Sequence, residues 1–108
     1  MLMQHGHVAS SEPSRTMVRL CYHFAKKIEV QYDDAQGVAH FPWGRCTLIA
    51  HAAGIGFVCE AEDAEMIARV QHVIDAHVAL FSRKTPVLVQ WEAPREAEGP
   101  GGAVVACP

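Results

Sequence analysis

The stretch LCYHFAKKIEV, residues 20 to 30, carries a thiol at Cys21, an imidazole at His23 and amines at Lys26 and Lys27. A thiol beside an imidazole can act as a nucleophile or supply two soft metal ligands. The spacing removes that option for this pair. On a helix, residues two apart point about 200° from one another, so Cys21 and His23 do not converge on one ion. Cys21 instead joins an apolar stripe and reads as a small buried hydrophobe. His23 falls on the flank with Leu20 and Lys27, three and four residues away. His23 and Lys27 therefore read as solvated boundary residues at a helix edge or, alternatively, as a basic edge that suits a small anionic ligand, a carboxylate or a phosphate. Lys27 is also accounted for by favourable interaction with the helix C-terminus.

Two further places hold reactive residues. His77 lies in a stripe with Val73, Ile74, Leu80 and Phe81, where an imidazole must find a hydrogen-bond partner or be desolvated at a cost. It reads first as a satisfied core histidine, buried beneath the helix layer. Its alternative is to face Cys46 as a thiol–imidazole pair or a pair of soft metal ligands. FPWGR sets Phe41, Trp43 and Arg45 around Gly44, an aromatic turn that either lines a small-molecule pocket or closes the core edge. The candidate binding residues are thus His23, Lys27, Trp43, Arg45, Cys46 and His77. No catalytic set and no metal set assembles from spacing alone, and no cofactor is implied. The other histidines, His5, His7, His40, His51 and His72, share no ligand spacing.

The elements that must position these residues follow from periodicity. HGHVA at 5–9 predicts a first strand, and SEPS after it a helix start, with Ser11 or Glu12 as cap and Pro13 in the first turn. The helix runs from about 12 to 27 on a stripe of Met17, Val18, Cys21, Phe24, Ala25 and Ile28. From Ile28 the period becomes two, with Ile28, Val30 and Tyr32 on one face. A second strand region, Val38–Phe41, is interrupted at Pro42 and Gly44 and continues as RCTLIAH. IGFVCEA follows after a turn at AAG. A second helix, capped by Asp63, spans about 63 to 82, and VLVQW closes the sheet with Val87, Val89 and Trp91. The expected fold is α+β: a two-layer sandwich in the order β-α-β-β-β-α-β, with an antiparallel sheet of four or five strands and both helices on one face. Residues 1–92 form the domain, and the Gly-, Pro- and Ala-rich stretch 93–108 reads as a flexible tail.

Composition narrows the functions. The chain has 108 residues, half of them hydrophobic, which suits one core without staples. A net charge of -3 with nine scattered Lys and Arg offers no footprint for a nucleic-acid backbone. Nothing approaches the roughly 18 apolar residues of a membrane span, and the N-terminus lacks a signal core, so a cytoplasmic protein is expected. Cys21, Cys46, Cys59 and Cys107 include no C-x-x-C pair, so reduced thiols are the expectation. The uncovered sheet face would carry Ile49, Val58 and Leu88 at its apolar centre, which suits a homodimer.

The order of motifs resembles the DUF2218 family of small bacterial proteins of unknown function. The resemblance rests on Leu20, Cys21, His23, Phe24 and Lys27, then Gly44, Cys46 and Leu48, then His77 and Phe81, and finally Trp91, over roughly residues 10 to 92. It implies a shared fold and, through relatives beside siderophore-interacting flavoproteins, a loose link to iron handling. The family helix usually has a basic residue before its Phe, where this chain has Leu80. Together these readings favour a non-enzymatic small-ligand-binding or accessory module. The alternatives are a thiol- or metal-dependent protein using Cys46 and His77, and an interaction protein pairing through its open sheet face.

Overall fold

The computed structural model describes residues 1–81 and 88–96. The chain forms β1 (Leu2–Ala9), α1 (Pro13–Phe24), β2 (Glu29–Tyr32), β3 (Gln36–Phe41), β4 (Gly44–His51), β5 (Gly54–Ala61), α2 (Ala64–Phe81), β6 (Gln90–Trp91) and β7 (Arg95–Glu96). The strands make one antiparallel sheet in the spatial order β2-β3-β4-β5-β1-β6, with β7 also paired to β1. Helix α1 packs over β2 to β5, and α2 over β1, β4 and β5. The α+β sandwich stands, with seven strands among the described residues where four or five were expected.

The extra strands have local causes. Pro42 and Trp43 do not interrupt one strand but reverse the chain: Phe41 pairs directly with Gly44, making β3 and β4 a tight hairpin. Proline has no N–H to give a ladder and presets a turn dihedral, so a reversal is where it fits. At the other end, Arg95 and Glu96 pair with Met3 and Leu2, which carries the sheet past the expected boundary at residue 92. Residues 97–108, the rest of the expected tail, lie outside the described residues. Val87 also lies outside them, and the paired part of the closing strand is Gln90–Trp91.

Helix α1 starts with Pro13, where the missing N–H would have had no helical partner. It buries Met17, Leu20, Cys21 and Phe24, a pattern of three- and four-residue steps. Leu20, expected on the flank, is thus part of the core, while Ala25 is exposed. The helix ends at Phe24, one turn early, where Lys26 and Lys27 donate their backbone N–H to the carbonyls of His23 and Phe24 at 3.3 and 3.0 Å. Lys27 therefore stands on a turn beyond the helix. In α2, Asp63 caps as expected, accepting the Met66 N–H at 2.9 Å.

The core lies between the layers. Ile67, Val70, Ile74 and Val78 of α2 face Leu48, Ile55, Phe57 and Cys59 of the sheet, all buried. Each of the larger side chains contributes about 1.5–3 kcal/mol on burial. On the opposite sheet face, Thr47 and Val58 are half-buried and Ile49 exposed, because strand side chains alternate.

Candidate functional site: a basic aromatic edge of the helix layer

His77 does not sit beneath the helix layer. The buried stripe of α2 runs through Ile67, Val70, Ile74 and Val78. At 100° per residue His77 lies about 60° to its side, so it emerges half-buried at the edge. Its Nδ1–H donates to the Val73 carbonyl at 2.9 Å. A carbonyl only accepts, so the proton of the neutral ring is held on Nδ1 and Nε2 keeps its lone pair.

No hydrogen bond joins His77 to Cys46. Cys46 is fully buried, opposite Cys59 in the β4–β5 register, and accepts the Cys59 thiol proton at 3.7 Å. Burial first, and the Cys59 contact second, push the Cys46 thiol well above its ordinary pKa. Burial likewise raises Cys21 to about 11. Both cysteines behave as core hydrophobes with their protons retained.

What His77 does meet is aromatic. Its ring lies 4.7 Å from Phe24 and 6.0 Å from His23, the latter edge-on at 71°. Phe24 meets Phe41 at 5.9 Å, and Phe41 stacks on Trp43 at 5.7 Å with 14° between planes. Five rings from α1, α2 and the β3–β4 hairpin thus form one continuous row, the geometry that aromatic quadrupoles favour.

The His23 end of this row is basic. Partial desolvation, then the charges of Lys26, His77 and Arg19, hold the His23 imidazole below its ordinary 6.5. Lys27 adds an exposed amine on the turn that follows.

Beyond the Trp43 end runs a groove of about 410 Å³, with Trp43 on one side and Glu65, Ala68, Arg69, His72 and Val73 of α2 on the other. Glu65, Arg69, Val73 and His77 succeed one another every four residues, so they form a single row along the helix. The sequence reading missed Arg69 and His72. Their four-residue spacing from Val73 and Ala68 was visible, but the approach of Trp43 to that face was not.

The remaining candidates lie elsewhere. Arg45 is on the open sheet face, where its Nε–H donates to Glu60 at 2.7 Å. Among the described residues, no group of three or more His, Cys, Asp or Glu could hold a metal ion. No helix of the described residues is long and apolar enough to cross a membrane.

Fold and site together define a small α+β domain with a basic, aromatic-lined edge on its helix side. The chain belongs to the DUF2218 family, described as an uncharacterized protein conserved in bacteria, whose model matches residues 5–92. It is similar to PA4090 from Pseudomonas aeruginosa, solved by NMR, at 25% identity and a TM-score of 0.72, over 85% of this chain and 96% of that one. The comparison with curated proteins gave no match.

Proposed function

We propose that the chain is a non-enzymatic small-ligand-binding or accessory module, and that its ligand is a small anion received at the His23–His77 edge. The observation that carries this reading is the company His23 keeps: the His77 ring lies 6.0 Å away, and the charges of Lys26 and Arg19 bear on the same imidazole. An oxyanion accepts hydrogen bonds from such a cluster and relieves its mutual repulsion. His77 is held at the same edge by its hydrogen bond to the Val73 carbonyl. Lys27 supplies further charge. Nothing in this arrangement requires a nucleophile or a bond-breaking step, which is why binding rather than catalysis is the preferred function. Such a module would fit the loose link to iron and siderophore metabolism that the family resemblance implies.

The test is an NMR titration of the imidazole resonances with phosphate at constant ionic strength, near pH 6. Saturable shifts of His23 and His77, with His5 and His40 unmoved, are the expected result. Equal, unsaturating drifts of all histidines would sink the reading.

A second reading, a homodimer through the open sheet face, is favoured by the exposure of Ile49 on that face, at 40%. Side chains of that size are normally covered when they share one face with others. Sedimentation as a monomer at high micromolar concentration would remove it.

A further inference from the structure

We propose that the groove between Trp43 and α2 is a binding site for an aromatic monocarboxylate, with the ring against the indole and the carboxylate on Arg69. This inference rests on the reading of the chain as a module for small anions and names the ligand's class.

Size and walls come first. A volume of about 410 Å³ falls within the roughly 300–1,000 Å³ of small-molecule pockets. Stacking on Phe41 at 5.7 Å fixes the plane of the Trp43 indole, and that indole forms one wall. Val73 and Ala68 give the facing helix an apolar floor. A flat ring can therefore lie against the indole without ordering a mobile wall.

Charge selects the sign of the head group. Arg69 and His72 are the basic groups of the lining, and Glu65 is its one acid. Arg69 engages Glu65 through Nη2 alone, at 3.4 Å, with the two side chains 52% and 74% exposed. Such a surface pair holds weakly, and the guanidinium's other N–H groups have no partner among the described residues. A ligand carboxylate can take the planar fork in two parallel bonds, which a single long contact to Glu65 does not match.

The groove and the histidine edge are neighbours but separable. Val73 lines the groove, and its carbonyl holds His77 one turn further along α2. Removing the imidazole at 77 leaves the groove's own lining in place.

The experiment follows the Trp43 indole and Arg69 side-chain N–H resonances by NMR while benzoate, cyclohexanecarboxylate or benzylamine is added to the full chain. Additions reach about 10 mM, enough to see a Kd near 1 mM. Benzoate is expected to saturate both resonances, with the other two compounds weaker by about tenfold or more. Arg69→Gln is expected to weaken benzoate by about tenfold, with Arg69→Lys between the two. His51→Gln, at an exposed position of β4 outside the groove, should leave benzoate binding within about twofold. Absence of saturation, or benzylamine binding as well as benzoate, overturns the inference. Benzoate that shifts His23 and His77 but not Trp43 overturns it too, while leaving the small-anion reading intact. Saturation at Trp43 with no phosphate response at His23 would do the reverse, sinking the histidine-edge reading alone.

Discussion

The indole of Trp91 lies against the backbone of Gly6, so close that a methyl group there would overlap the ring carbons. Gly6 and Trp91 are register partners between β1 and β6. The same indole packs beside Phe57 at 5.9 Å and donates its Nε1–H to Asp75 at 2.8 Å, which ties the closing strand to α2. Gly6→Ala should therefore push the ring off this seat and destabilise the fold by about 1–3 kcal/mol. Urea denaturation with tryptophan emission reads both effects. Gly56→Ala is the control, since a Cβ there meets only the Ile49 carbonyl oxygen at 4.0 Å, and it should change stability little.

Phe24 joins the core to the ring row, 4% exposed and in contact with both His77 and Phe41. Phe24→Ala opens a cavity at that junction and is expected to cost about 3–5 kcal/mol. Tyr22, two residues earlier and 60% exposed, should tolerate Ala to within about 0.5 kcal/mol. Equal losses from the two substitutions, measured by chemical denaturation, would contradict the assigned helix face.

The buried thiols give a signature in alkali. Cys21 keeps its proton to about pH 11 when folded, against an ordinary value of 9.0. Between those values the unfolded chain has lost a proton that the folded chain still holds, so stability should fall as pH rises from 9 through about 11. Cys21→Ser should reduce that slope, as read from urea midpoints at pH 8 and 10.

Cys46 should alkylate slowly in the folded protein, at a rate that follows unfolding. Because His77 meets Phe24, His23 and Val73 rather than Cys46, its rate-against-pH profile should be the same in wild type and His77→Gln. A midpoint shift between the two would revive a functional thiol–imidazole pair.

His23 gives the opposite pH dependence. Its folded value lies below the ordinary 6.5, so just below pH 6.5 the unfolded chain binds more protons and stability should rise with pH. Added phosphate should flatten that rise by favouring the charged imidazole. Thermal midpoints at pH 5.5 and 7.5, with and without phosphate and in His23→Gln, check both statements.

Much of the architecture is local and was therefore readable. The three- and four-residue steps through Met17, Cys21 and Phe24, the Asp63 cap, and the alternation in β4 and β5 each depend on neighbours within a few residues. Helix period, capping and strand pleat impose these patterns wherever the chain ends up. The family motif likewise lay in plain view from Leu20 to Trp91. The nature of the site's ingredients was also legible: a basic helix edge at His23 and Lys27, and an aromatic turn at Trp43.

Which of these residues meet was decided by contacts distant in sequence. Cys46 faces Cys59 because β4 and β5 pair in one register, and a slip of β4 by a single residue would have turned Cys46 outward, away from Cys59. His77 stands beside His23 because α1 and α2 pack on the same sheet, with Val78 taking the buried position that the sequence left unassigned. Arg45 leaves the site for the open face through the alternation of β4 once the Pro42–Trp43 hairpin is formed. Trp43 reaches Arg69 and Val73 across 26 and 30 residues of chain. The sequence by itself determined the helices, the strand faces and the chemistry on offer, because those obey short-range geometry. The tertiary structure alone decided the ring row and the groove, because the row needs side chains from three elements and the groove from two to arrive at one place, and only the shared burial of the core brings them there.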